Sequence, residues 1–255
     1  MSPARRLLLG GALLLLGTVA AACQATGGGG EATIAPVRIP FGCGERASYE
    51  LRELDGTRVA GALFEVRCES DRLLLEQSFR GPGPTGDGGA GPRDRSLAVV
   101  ESGTLHPVAS SREATRDGET TTWSAVYTAD LTSVGFRQEE SGDAEERELR
   151  LRRGAYDNES ALWLWRALEL AEGYDGQYVS VSAVGQSQIT VRLTVAREER
   201  VEVPGGDFET WRIHVRSGRA TRVAWIAVDA PHQLVQWDNG SEIFRLVEYE
   251  AGSPP

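Results

Sequence analysis

The sequence predicts an all-β, mainly antiparallel fold: a long curved sheet or incomplete barrel enclosing one α-helix. Three observations carry this reading. Apolar and polar residues alternate at period two along most of the chain after residue 36, turn dipeptides separate the alternating runs, and one strongly apolar helical stretch interrupts them. Period two places alternate side chains on opposite faces of a sheet, which suits strands with one face buried and one in water. A chain of 255 residues with 40% apolar content has ample material for a core.

The clearest strand is Ser187 to Ala196, where Ile189, Val191, Leu193 and Val195 share one face and Thr190, Arg192 and Thr194 the other. Trp211, Ile213 and Val215 alternate in the same way with Arg212, His214 and Arg216, and Leu149 and Leu151 with Arg150 and Arg152. Further strands are expected at 47–54, 57–68, 72–80, 96–102, 121–128, 132–138, 176–184, 198–203, 221–229, 233–238 and 242–249. Asp55-Gly56, Asp117-Gly118, Ser217-Gly218 and Asp238-Asn239-Gly240 fall between runs and supply the positive-φ conformations that hairpin turns require. These features define one β domain over 36–250, with 251–255 as a disordered tail.

Residues 158–171 combine strong helix formers with Asn158 or Ser160 as N-cap and Gly173 as terminator. Leu162, Trp165 and Leu168 form one stripe, and Trp163, Leu164 and Leu170 widen it, leaving Arg166 and Glu169 polar. A helix apolar around most of its girth is best enclosed by the concave side of a sheet; a surface helix is the alternative. Residues 81–95 hold six Gly and three Pro and read as a flexible insertion. Their literal match to G-x-G-x-x-G lacks the strand-turn-helix setting of a dinucleotide site. Gln138 to Arg147 reads as an acidic, solvated turn.

Composition limits the function. With 37 acidic residues against 27 basic ones, every basic residue being Arg, the net charge of −10 argues against a nucleic-acid partner, though not against a small local basic patch. No His-Glu-x-x-His, no His-x-x-x-His and no G-x-S-x-G is present; His106, His214 and His232 read as turn or surface residues. Neither a cofactor nor a metal is expected, and a non-enzymatic role is favoured. The six Trp, at 123, 163, 165, 211, 225 and 237, read first as core filling. Some could instead line a cavity for an acyl chain or other apolar ligand, with Leu162, Trp165, Leu168, Trp211 and Trp225 as candidates.

Residues 1–22 form an export signal. Arg5 and Arg6 precede an apolar run from Leu7 to Val19, too short to span a bilayer, and Ala20-Ala21-Ala22 leads directly to Cys23. This arrangement resembles the bacterial lipoprotein signal. The resemblance implies that Cys23 becomes the lipidated N-terminus, carrying acyl chains such as palmitate, with the body in the periplasm or extracellular space. Plain secretion is the alternative. Removing two Arg and no acid takes the charge from −10 to −12. Residues 23–35, with Gly27 to Gly30, then read as a lipidated tether; the twelve from Gln24 to Ala35 span roughly 20 Å r.m.s.. Cys43 and Cys68 remain as a pair in an oxidising compartment, which suggests a disulfide rather than two buried thiols.

The stretch Val203-Pro204-Gly205-Gly206-Asp207-Phe208-Glu209-Thr210-Trp211 is followed by Trp225-Ile226-Ala227-Val228-Asp229-Ala230-Pro231-His232. Leu234-Val235-Gln236-Trp237, Gly240 and Phe244 then complete the pattern. With Tyr156-Asp157-Asn158 and Tyr49-Glu50-Leu51, they resemble a bacterial envelope family known as domain of unknown function 3108. The resemblance implies a sheet curled around a helix, similar to the lipoprotein-localisation factors of the cell envelope, which carry acyl chains. It implies no catalytic residues. The expected function is a lipid-anchored envelope protein whose β domain binds an apolar ligand or a lipoprotein. A scaffold with a packed interior that engages another envelope protein is the alternative, and an enzyme on the same frame is less favoured.

Overall fold

The computed structural model describes residues 34–81, 93–116 and 118–253. The leader, Cys23, nearly all of the tether and most of the Gly-Pro insertion lie outside the described residues. The first half of the chain runs β1 (Arg46–Glu53), β2 (Arg58–Glu69), β3 (Arg72–Arg80), β4 (Arg93–Glu101), β5 (Pro107–Arg116), β6 (Glu119–Tyr127), β7 (Ser133–Glu140) and β8 (Asp143–Arg150). A short β9 (Ala155–Asp157), a 3₁₀ turn (Asn158–Ser160) and the helix α1 (Ala161–Arg166) follow. The chain then continues as β10 (Asp175–Ser182), β11 (Ser187–Val203), β12 (Gly206–Ser217), β13 (Ala220–Ala227), β14 (Leu234–Asp238) and β15 (Glu242–Glu250).

All fifteen strands form one sheet in the order β8-β7-β6-β5-β4-β3-β2-β1-β15-β14-β13-β12-β11-β10-β9. Every neighbouring pair is antiparallel except β9 with β10. The sheet is thus two meanders stitched together where the first strand meets the last, Arg46 opposite Glu250 through Glu53 opposite Glu242. It is not closed by hydrogen bonds. Tyr178 on β10 faces the main core, whereas Val179 and Val181 on its other face pack with Ala125, Tyr127, Val134 and Phe136 of β6 and β7. The two ends of the sheet therefore overlap, one lying outside the other, and apolar packing replaces the missing ladder. The expected incomplete barrel around a helix is what forms.

Inside the roll, Trp163, Leu164 and Trp165 of α1 pack against inward residues of both meanders, among them Phe64, Leu73, Leu193, Ile213 and Leu246. Burying each such side chain contributes about 1.5–3 kcal/mol. The helix is shorter than the expected 158–171. It ends at Arg166, because the Ala167 carbonyl accepts the Val37 N–H at 2.9 Å and Leu168 turns into the core. Arg166, expected on a polar face, is buried.

Four other expectations are corrected. Residues 138–147 are acidic and solvated as expected, but they form the paired arms of the β7–β8 hairpin around Ser141-Gly142 rather than a turn alone. Arg93 to Arg95 belong to β4, pairing with Ser78 to Arg80 of β3, so the insertion is shorter than 81–95. Ser253 exchanges two backbone hydrogen bonds with Cys43, so the tail does not begin at 251. Ile34 is buried, so the tether ends before residue 35. The polar strand β5 has no apolar alternation to reveal it, since its inner face carries Ser110 and Arg112.

Candidate functional site

The roll has two unlike ends. At the closed end the segment before β1 folds across the opening, and Cys43 and Cys68 are joined as a disulfide. Arg166 bonds both carboxylate oxygens of Glu45, at 2.6 and 3.0 Å, and donates to the backbone carbonyls of His232 and Pro231. Ile34 meets the body at this end, donating its N–H to Gln177 and packing on Gly176, where a Cβ would sit 2.6 Å from the Ile34 side chain.

Among the described residues the opposite end is open. A cleft of about 390 Å³ lies here between α1 and the sheet, and the ends of the β12–β13 and β14–β15 hairpins reach it through Ser217, Asn239 and Ser241. A second hollow of about 530 Å³ adjoins it and shares Phe79, Arg112, Asn239 and Phe244 as walls. Period two positions the lining: Phe79 on β3, Ile189 on β11 and Phe244 on β15 all point inward at the mouth ends of their strands. Leu162 and Trp165 of α1 face them. Phe79 and Phe244 meet edge to face at 5.8 Å, and Trp165 lies against Trp237 at 5.1 Å. Ile189 keeps 48% of its surface exposed on this inner wall.

Charge is divided between two walls. On one, Arg112 bonds Asp94 at 2.9 and 2.5 Å, and the Glu159 carboxylate lies 3.9 Å from the same guanidinium. On the other, Arg222 donates its Nε–H to the Asn239 carbonyl at 2.9 Å, beside Ser217 and Ser241. Below the cleft the interior is packed; a residual space of about 10 Å³ near Phe64 and Trp163 is far too small for a ligand.

Of the five expected cavity residues, the structure brings two together in the cleft, Leu162 and Trp165. Leu168 is buried in the core beneath, and Trp211 is half-buried against that core. Trp225 lies on the outer face: its indole N–H donates to Glu199 at 2.6 Å, and the Arg212 guanidinium covers its ring at 5.6 Å. Its register opposite Arg212 put it on the polar side of the sheet. Phe79, Arg112, Arg222, Trp237 and Phe244 were missed; parity marks all but Arg112 as inward, Arg112 lying on the polar strand β5, and only the curl of the sheet sets them at one mouth. His106, His214 and His232 do not line the cleft. Among the described residues no three His, Cys, Asp or Glu side chains are placed to hold a metal, and no helix is long and apolar enough to cross a membrane.

One more polar cluster ties the overlapping ends. Asp157, fully buried, accepts hydrogen bonds from Tyr127 at 2.5 Å, Ser110 at 2.6 Å and the Glu159 N–H at 2.7 Å. Burial, with the nearby Glu159 charge, pushes its carboxyl up to about 6, against the pull of those three donors. Burial and the adjacent carboxylate likewise push the Tyr127 hydroxyl far above its ordinary range.

A single antiparallel sheet rolled past itself around a helix, plugged at one end and cupped at the other, defines an all-β cup. The chain belongs to the family described as Protein of unknown function (DUF3108), whose model matches residues 47–244. Of the residues that carry the likeness, Trp237 and Phe244 line the cleft, whereas Gly205 and Pro231-His232 lie at the closed end. Gly205 donates to the Leu246 carbonyl, and a Cβ there would lie 3.2 Å from two backbone oxygens; the Pro231-His232 turn presents the carbonyls that Arg166 reads. Among solved structures, the chain is similar to one described as an exported protein with a YmcC-like fold from Bacteroides fragilis. That match has 10% identity and a TM-score of 0.31, covering 83% of this chain and 98% of that one. It is also similar to one described as a lipoprotein from Parabacteroides distasonis, with 11% identity, coverage of 83% and 97%, and a TM-score of 0.31. No curated protein matches the chain.

Proposed function

We propose that this is an exported envelope protein, held to a membrane through lipidated Cys23, whose cup binds a small amphipathic ligand without converting it. The observation that supports binding most directly is the open space between Leu162 and Trp165 of α1 and Phe79 and Phe244 of the sheet. A cleft of about 390 Å³ is within the ordinary size of a small-molecule site, and its mixed walls suit a molecule with one apolar and one polar part. The packed interior confines the ligand to the mouth, so a single short or folded acyl chain fits the volume better than a whole lipoprotein anchor. Because Ile34 joins the body at the closed end, the mouth would face away from the anchoring membrane. The ligand would then arrive from the aqueous side.

Native mass spectrometry of the protein purified without its leader, with fluorescence titration by a dansylated fatty acid, tests this. Saturable binding at one site that Leu162→Trp abolishes is the expected result. No co-purified ligand and no saturable binding would overturn it. The packed interior and the exposed terminal strand β8 favour a second reading, in which the protein is a scaffold for another envelope protein through strand addition.

A further inference from the structure

We propose that the cleft selects an amphiphile with an anionic head group, a carboxylate or a phosphate, and that Arg222 is the residue that holds it. The inference rests on the ligand-binding reading above and adds polarity to it. Arg222 lies on the inner face of β13, with Ala224 and Ile226 following it at period two into the core. Its Nε–H is occupied by the Asn239 carbonyl, which fixes the guanidinium at the rim of the cleft. Among the described residues no carboxylate lies within 4 Å of that guanidinium, whereas twelve other arginines are so paired. Its terminal N–H groups are therefore available to an incoming anion, and Ser217, Asn239 and Ser241 stand beside it as neutral hydrogen-bonding groups.

The facing wall has the opposite balance. Arg112 is shared between Asp94 and Glu159, so two carboxylates surround one guanidinium and that pole is net negative. Glu242 and Arg116 line the adjoining hollow and offset one another in formal charge. An anionic head is repelled from the Arg112 wall and drawn to Arg222, while the chain lies along Trp237, Phe244, Leu162 and Ile189 between them. Guanidinium suits either head group, since its planar donors match carboxylate and phosphate oxygens in pairs.

Displacement of a dansylated fatty acid by palmitate, hexadecyl phosphate and hexadecanol tests the assignment. The native protein should bind both anions at least about tenfold more tightly than the alcohol, the scale of one charge-assisted contact. Arg222→Gln should erase that preference while leaving the alcohol's affinity unchanged. Arg216→Gln, which removes the same charge from the outer face of β12, should leave the preference intact. A native protein that binds alcohol and anions alike, or an Arg222→Gln variant that still discriminates, would overturn the head-group assignment alone. Failure of all three to displace the probe would take the binding reading with it. A preference for only one of the two anions identifies the head group and supports the assignment.

Discussion

Arg166, in the last turn of the helix, and Glu45, just before the first strand, form a doubly bonded ion pair between groups 121 residues apart, both all but sealed from water. Each partner spends its remaining capacity on other groups: Tyr249 donates to Glu45 at 2.6 Å, and Arg166 holds the His232 and Pro231 carbonyls and covers the Phe41 ring at 5.0 Å. The pair thereby ties helix, N-terminal segment, β15 and the β13–β14 turn at one point. Removing one partner leaves a buried charge uncompensated.

Arg166→Met should accordingly destabilise the fold by about 3–5 kcal/mol, and Glu45→Gln by a similar amount. The double variant Arg166→Met/Glu45→Leu should recover a substantial part of the loss, because no charge then stays buried. Urea unfolding midpoints of the three variants measure this; a double variant as unstable as the sum of the singles would contradict it.

Asp157 gives the fold a defined pH dependence. Its folded-state carboxyl titrates near 6, above the unfolded value near 3.8, so the folded protein binds the proton more tightly than the unfolded chain does. The stability from this group is complete below about pH 4 and is lost as pH rises through 6, a change of about 3 kcal/mol. Asp157→Asn should abolish this component. Denaturation of both proteins at pH 4, 5.5 and 7 should show the native protein losing stability relative to the variant as pH rises; parallel profiles would remove the assignment.

The disulfide between Cys43 and Cys68 closes a loop of 25 residues at the plugged end. Replacing both by Ser should cost about 3 kcal/mol on the chain-entropy estimate. The exported native protein should show neither thiol to alkylating reagents under denaturing, non-reducing conditions. Labelling of both would show that the bridge does not form in the cell.

Cys23→Ala tests the anchor. On the proposed cleavage before Cys23 the body would carry a charge near −12 and be repelled by anionic lipid surfaces, so the proposed acyl insertion would be its strong membrane attraction. The variant should move to the soluble fraction or accumulate as uncleaved precursor. A correctly cleaved variant that still sediments with membranes would show that something other than the lipid holds it.

The sequence by itself determined most of the strands and their inward faces, several of the hairpin turns and the cysteine pair, because each is written in residues close along the chain; the polar strand β5 and most of β8 carry no such pattern. Ile189, Val191, Leu193 and Val195 declare a buried face whatever the sheet does next. Only the tertiary structure decided where those faces meet. The overlap of β6 and β7 outside β10 depends on the accumulated curl of fifteen strands, to which no short stretch of residues corresponds. That curl gathers Phe79, Trp165, Arg222 and Phe244 at one mouth and leaves Trp225 outside. The same holds for Arg166: helical spacing marks it as polar, and its burial follows from Glu45, 121 residues earlier in the chain, meeting it at the closed end to neutralise it.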